Sequence, residues 1–404
     1  MDWPLRCGIF MAPFHPNGQN PTTALERDLD LIEHLDKLGF HEAWIGEHHS
    51  GGFEIIGSPE VFIAAAAERT KHIDFGTGVV SLPYHHPLMT AQRIVLLDHL
   101  TRGRVKFGVG PGALPSDAFM LGIDPADQRA RMEEALEIIL RLLRSDEPVT
   151  HESEWFTLRD ARLHLRPYTH PHPEVAVAAM ISPSGPRAAG RFGCSLLSIG
   201  ATQRAGIDLL SSAWSVMEER SEQFGHVADR RQWRLVTMMH LAETTEQAVA
   251  DVEFGIADYA RYFREVAALP IFPDAPAAEL VELLNNTGAA VVGTPQDAID
   301  LIQHLIDESG GGFGTILIQA HEWANPEATK RSYELFAQHV LPHFDPHGRA
   351  TTNSMEWVQA NRPEHMGAAM SAIGAAIQQH AEEKSASSAE SGSPAEAPAG
   401  GPYP

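Results

Sequence analysis

Thr23-Ala24-Leu25-Glu26-Arg27-Asp28-Leu29-Asp30-Leu31-Ile32-Glu33-His34-Leu35-Asp36-Lys37-Leu38-Gly39-Phe40-His41-Glu42-Ala43-Trp44-Ile45-Gly46-Glu47-His48-His49 contains one complete helix-to-strand unit. Thr23 and Glu26 have the spacing of a capping box. Leu25, Leu29, Ile32 and Leu35 share one helical stripe, and Gly39 is a stop. Residues 43–46 then form a short apolar strand that runs directly into Glu47, His48 and His49.

The unit repeats in both directions along the chain. Strand-like runs precede it at 7–12 and follow it at 73–82, 105–110, 175–181, 195–199, 235–241 and 315–320. Asp124 and Pro125 read as the cap and first residue of a helix reaching Leu143, and residues 296–306 and 327–340 have helical patterns. Two segments break the rhythm: 148–168 reads as a hairpin, and 270–278 as an irregular insertion before the last strand. Strands that are apolar without alternation are buried on both faces, as in parallel sheets. Eight such units predict an α/β fold, a closed (β/α)8 TIM barrel over residues 1–345. Residues 346–380 are expected to form a partly helical C-terminal extension, with helix within 355–379. Residues 381–404, rich in Ala, Ser, Glu, Pro and Gly, are expected to be a disordered C-terminal tail.

The chain has 404 residues, 43% hydrophobic and 21% charged, with a net charge of -23. Such an acidic surface disfavours nucleic acid and anionic membrane as partners. No leader and no apolar stretch of bilayer length is apparent, so the cytoplasm is the expected location. Cys7 and Cys194 sit in apolar runs and read as buried structural thiols.

In a barrel of this kind, function gathers at the C-terminal strand ends. There the sequence places Glu47, His48 and His49 after the second strand, Gly78 in the third, and Gly108 to Gly112 at the end of the fourth. Met180, Ser182, Ser184 and Gly185 end the fifth, and Gln319 to Trp323 the eighth. His48 is the catalytic candidate, as a general base or hydrogen-bond donor, because imidazole titrates near neutrality. Gly110 leaves room for a flat ring. Ser182, Ser184 and the Gly185 amide open a helix, either as an ordinary cap or as an anion site suited to phosphate. No nucleotide-binding fingerprint is present. No metal is expected: His15 lies well past the first strand, and His170 and His172 precede the fifth, although Glu47, His48 and His49 offer ligands.

The stretch from Gly39 to His49, Gly76 to Pro83 with His86-Pro87, Asp98 through Gly103-Arg104, and Phe107 to Gly110 resemble the bacterial luciferase-like flavin monooxygenases. So do Val292 to Pro295 and Gly311 to Thr315. The resemblance spans about residues 6 to 344. Leu114-Pro115-Ser116 to Gly122-Ile123 and Gln319 to Glu322 are similar to the limonene monooxygenase and diketocamphane monooxygenase branch. The family implies FMN, reduced by a separate NAD(P)H:flavin reductase, at the barrel mouth, and molecular oxygen as co-substrate. Oxygen adds at flavin C4a, and the resulting peroxide or hydroperoxide oxygenates a small apolar substrate such as a terpene or cyclic ketone. By this likeness His48 is catalytic, Gly78-Val79 is a cis peptide under the flavin ring, and Ser182 contacts phosphate. Gly110 stands where luciferase has a reactive cysteine, Pro111 where it has a phosphate-binding arginine, and Ile181 where it has a glutamate. Light emission is therefore not implied, and Ser184 and Gly185 are the expected substitutes at the phosphate. Phe14, Phe53, Tyr84 and Trp323 are the expected substrate lining. A homodimer through the helices after strands two and three is the family habit. Two alternatives stay open: a deazaflavin (F420)-dependent oxidoreductase, and a barrel that binds flavin without turnover.

Overall fold

The computed structural model describes residues 3–390, apart from 13, 202–206, 208, 268–271 and 346–347. Contacts divide the chain into two units, 1–345 and 346–404. In the first, eight parallel strands close a barrel. They are β1 (Arg6–Met11), β2 (Glu42–Ile45), β3 (Asp74–Thr77), β5 (Val105–Gly110), β8 (Val175–Ala179), β9 (Ser195–Ser198), β10 (Trp233–Leu241) and β12 (Thr315–Gln319). Each pairs with the next in that order, and β12 closes the ring against β1. The eight units expected from the pattern are thus present.

Four details differ from the sequence reading. The third run is interrupted after Thr77, at the Gly78–Val79 peptide, which is cis as the resemblance implies, and β4 (Val80–Ser81) continues beyond it against β5. The helix Pro21–Leu38 starts earlier than Thr23, because the Asn20 side chain accepts from the Thr22 amide at 3.0 Å and Pro21 takes the first turn. Residues 124–127 form a turn, with the Ala126 amide on Asp124, so the helix is Gln128–Arg144. The insertion before the last barrel strand is larger than 270–278, of which 270 and 271 lie outside the described residues. It comprises helices Thr245–Val252, Ile256–Glu265 and Ala277–Thr287, and a strand, β11 (Ala290–Gly293), that pairs with the end of β10. The hairpin of 148–168 is present as β6 (Val149–Glu152) and β7 (Thr157–Ala161).

The barrel interior is filled by Phe10, Ala12, Trp44, Ala176, Leu197, Val236 and Leu317. Trp44 explains two glycines. A Cβ on Gly76 would stand 2.3 Å from the indole, and one on Gly108 would stand 2.8 Å from it and 2.0 Å from the Thr77 carbonyl oxygen. At the barrel base Arg234, 2% exposed, bridges Glu42 (0%) and Glu174 and stacks over Trp44. A separate apolar cluster built on the insertion gathers Phe14, Phe53, Met238, Tyr259, Tyr262 and Trp323.

The second unit contains helices Arg349–Ala360 and Arg362–Glu390. The latter runs past residue 381, where disorder is expected from composition; residues 391–404 lie outside the described residues.

Candidate active site

The C-terminal strand ends surround a cavity of about 400 Å³. Ala12 follows β1, Glu47 and His48 follow β2, and Gly78 and Val79 join β3 to β4. Gly110 ends β5, Ala178 and Ala179 end β8 with Met180, Ser182, Ser184 and Gly185 after them, Val236 and Met238 lie on β10, and Gln319 ends β12. Of the residues singled out by sequence, His48, Gly78, Val79, Gly110, Met180, Ser182, Ser184 and Gly185 all line this one cavity. A Cβ on Gly110 would approach Val79 Cγ2 to 2.7 Å, so glycine is what keeps this wall flat. Gly185 also packs tightly: its Cβ would lie 2.6 Å from that of Ala179.

His48 stands between two carboxylates. Its Nε2 is 2.7 Å from Glu54 Oε2, and its Nδ1 is 3.3 Å from Asp117 Oδ2. Asp117 is carried by the short helix Pro115–Met120, and also accepts from the His49 amide and the Ser50 hydroxyl. Burial alone would lower the His48 pKa. The charges of Glu54 and Asp117 outweigh burial and raise it to about 10.

Glu47 organises the other side of the same segment. Its Oε1 accepts from Nε2 of His49 at 2.9 Å and of His85 at 2.5 Å, and its Oε2 accepts from the Ser81 amide. Burial would raise this carboxyl, but those donors prevail and hold it down to about 2. Glu47, His49 and His85 bring ligand atoms within 4.8 Å of one another, the donor set of a divalent metal. Here the two imidazoles donate to a single carboxylate oxygen, and the cluster ties the loop after β2 to the turn after β4.

Beside the cavity, and sharing Arg129, Glu133, Ser182 and Ser184 with it, lies a second pocket whose other lining is largely cationic. Ser182 and Ser184 share a hydrogen bond at 2.7 Å, and the helix Ser184–Phe192 begins without a side-chain cap. Arg129, Arg187, Arg191 and Arg220 surround them. Arg191 is engaged by Glu133 and Glu137. Arg129 and Arg187 pair with no carboxylate among the described residues. Uncapped amides, two hydroxyls and two free guanidinium groups make an anion site. The sequence reading missed these arginines because they lie on the outer helices, one of them at the start of a helix whose boundary was misplaced.

Phe14, Phe53, Tyr84 and Trp323 do not line the cavity, which corrects the expected substrate lining. Phe14 turns away from the barrel axis and stacks on Phe53 at 5.2 Å. Trp323 is wholly buried and stacks on His321 at 4.1 Å. Tyr84 sits behind the loop at Gly112, where Gln128 donates to its hydroxyl. The apolar wall comes instead from residues such as Phe10, Leu114, Met132, Val236, Met238 and Phe263. Glu54, Asp117 and Tyr262 also went unnoticed in the sequence, since only the folded chain brings the two carboxylates to His48 and the tyrosine hydroxyl to Glu54.

A flat-walled cavity at a barrel mouth, with a histidine on one side and an anion cradle on the other, has the shape and charge to hold a phosphate-bearing ring system. The luciferase-like monooxygenase family model matches residues 5–311, and the chain belongs to that family. It is therefore an oxidoreductase that incorporates oxygen. It is 49% identical to limonene 1,2-monooxygenase of Rhodococcus erythropolis over 339 residues, covering 84% of this chain and 86% of the relative. It is 45% identical to 4-hydroxyprotoasukamycin monooxygenase of Streptomyces nodosus subsp. asukaensis over 357 residues, covering 87% and 95%. Its fold matches the FMN complex of the oxygenating constituent of 3,6-diketocamphane monooxygenase from Pseudomonas putida, a type II Baeyer–Villiger enzyme. The TM-score is 0.70 at 26% identity, covering 84% of this chain and 99% of that one. No helix among the described residues is long and apolar enough to cross a membrane.

Proposed function

We propose that this chain is the oxygenase component of a two-component FMN-dependent monooxygenase acting on a small apolar substrate. The observation that carries this reading is the polarity of the cavity: one end is an anion cradle, the other an apolar wall. Ser182, Ser184, the Gly185 amide, Arg129 and Arg187 would hold the phosphate. Gly78, Val79, Gly110 and Met180 would face the ring system. Bound reduced FMN supplies the electrons that activate molecular oxygen, one atom of which passes to the substrate. The apolar wall binds that substrate and excludes water, and His48 is the acid–base group at the reacting end. The diketocamphane protein is the oxygenating constituent of its enzyme, and that likeness supports a separate NAD(P)H:flavin reductase as partner here.

A homodimer also belongs to this reading. Met89, Leu96 and Leu100 are each more than half exposed on helix Pro87–Thr101, beside Val61, 71% exposed, on Pro59–Arg69. Apolar side chains in that density mark an association surface.

The test is an anaerobic titration with FMN, oxidised and reduced, followed by isotopically labelled oxygen and a panel of terpenes and ketones with a generic flavin reductase. Label in the product is expected. Absence of FMN affinity in either redox state refutes the reading. Binding of a deazaflavin in place of FMN turns it into a hydride-transfer enzyme.

A further inference from the structure

We propose that Gln319 is a specificity-determining residue: its side-chain carbonyl accepts a hydrogen bond from a hydroxyl carried by an otherwise apolar substrate. The proposal rests on the monooxygenase reading only for the substrate being small and largely apolar.

The place of Gln319 is the first observation. It ends β12, and β12 stands four strands from β5 in either direction round the barrel. Gln319 therefore lies across the cavity from Gly110, on the side away from the flat glycine wall. Its surroundings there are apolar: Phe10 on β1, Val236 and Met238 on β10, and Phe263 from the insertion helix Ile256–Glu265. A ring system laid against Gly78, Val79 and Gly110 leaves this side to the substrate.

The second observation is the way the amide is held. Its Nε2 donates to the Tyr259 hydroxyl at 2.9 Å, and that hydroxyl donates to Met238 Sδ at 3.6 Å. A phenol has one proton. With that proton on the sulfur, the phenol oxygen can only accept, so the nitrogen end of the amide is the end turned to the tyrosine. Tyr259 is 1% exposed, and its ring is enclosed by Phe14, Phe263 and Trp323 at 5.2, 4.9 and 5.6 Å. Phe14 and Trp323, expected from sequence to touch substrate, thus act one layer back, fixing the tyrosine that orients the amide.

The third observation is what remains unused. Gln319 Oε1 accepts from no group among the described residues, and protein does not close it off. Two other polar side chains on this side, Tyr262 and Glu54, are engaged with each other at 2.7 Å. An apolar wall with one fixed, unused acceptor selects a ligand with a matching donor, because a ligand lacking the donor leaves the carbonyl desolvated and unpaired. A hydroxyl meets that need. The oxygen of a ketone or aldehyde, which only accepts, does not. Anchoring one end of the molecule also selects which of its carbons is turned toward the glycine wall.

The experiment measures binding, without turnover, of two probes that share a carbon skeleton. They are perillyl alcohol, whose oxygen carries a proton, and perillaldehyde, whose oxygen does not. Calorimetric titrations use full-length wild type, Gln319→Leu, Gln319→Glu and Tyr259→Phe, each with and without FMN. Wild type should bind the alcohol about five- to tenfold more tightly than the aldehyde, the net worth of one neutral hydrogen bond. Gln319→Leu should lose that preference with FMN affinity unchanged. Gln319→Glu keeps an acceptor and should keep the preference. Tyr259→Phe leaves the carbonyl in place but frees the amide to turn, so the preference should shrink, which a purely structural tyrosine would not cause.

Equal affinity of wild type for the two probes, or affinity for neither, overturns the proposal without any variant. So does a folded Gln319→Leu that keeps the preference, or one that loses FMN affinity instead, which would put the amide on the cofactor. Failure of the flavin reading shows separately as absent FMN affinity, and the FMN-free titrations then still decide the role of Gln319.

Discussion

Arg234→Met should destabilise the barrel by about 3 kcal/mol, because it removes one side of a buried ion pair and leaves the other in place. Arg234 Nε lies 2.6 Å from Glu42 Oε2, Nη2 lies 3.0 Å from Glu42 Oε1, and Nη1 lies 2.6 Å from Glu174 Oε1. Methionine keeps the apolar stem against Trp44 and deletes only the guanidinium. Glu42 then retains the Trp44 Nε1–H at 2.8 Å, with Arg6 at 3.6 Å and Lys106 at 3.9 Å as its remaining cations. Breaking a buried pair costs roughly 3–5 kcal/mol, and those two cations set the expected loss at the lower end. Equilibrium urea unfolding measures it. Glu42→Gln in the Arg234→Met background should recover most of the loss, since the stranded charge is then gone.

The pH dependence of that loss has a definite sign. Burial would raise the Glu42 carboxyl, but Arg234 and Lys106 outweigh burial and hold it well below its ordinary 4.5. A depressed carboxyl contributes stability that is complete above the unfolded value and drains away as pH falls through the folded one. Wild type should therefore weaken below about pH 4.5, and the gap to Arg234→Met should narrow over the same window. A loss below about 1 kcal/mol, or a gap that does not change with pH, refutes the argument.

Other perturbations read the mouth and the surface. Arg129→Ala and Arg187→Ala should each weaken FMN about tenfold, roughly 1.4 kcal/mol, and leave riboflavin, which lacks the phosphate, nearly unaffected in fluorescence titrations. His48→Ala should fold normally by circular dichroism and lose at least about tenfold in turnover; unchanged turnover would make His48 a structural residue. Gly108→Ala drives a methyl into the Thr77 carbonyl and the Trp44 ring, and should cost about 3 kcal/mol or prevent folding; a soluble variant with wild-type urea midpoint would contradict the packing. Leu96→Glu should convert a dimer to a monomer in size-exclusion chromatography with light scattering, and a wild-type monomer would remove that surface from consideration.

The barrel was legible because its strands are buried on both sides. Runs such as 105–110 and 315–320 are mostly apolar without alternation, and apart from Lys106, Gly108 and Thr315 they are interrupted only where the mouth begins, at Gly110 and Gln319. The insertion was not, because its helices bury against their own aromatic cluster and carry polar faces that read as loop. His48 was found by its place directly after a strand. Its partners were not: Asp117 reaches it from a distant helix and Glu54 folds back from beyond the glycine turn, and nothing in a linear pattern marks which of many acidic side chains will fold against an imidazole. Phe14 and Trp323 were misplaced for a related reason. Proximity to a strand end says little about which way the next few residues turn, and both point outward into the second cluster.

That division into separately packed clusters has an evolutionary consequence. The barrel interior around Trp44 and the cavity-lining glycines form one packing problem, and the insertion with its aromatics forms another. Met238 and Phe263 belong to the second and also border the cavity. Mutations there can reshape the substrate wall without disturbing the strands that carry the glycines. One half of the pocket is free to drift while the other is held in register. Lineages can then acquire new substrates by editing the insertion, whereas the same number of changes in the barrel would cost them the fold.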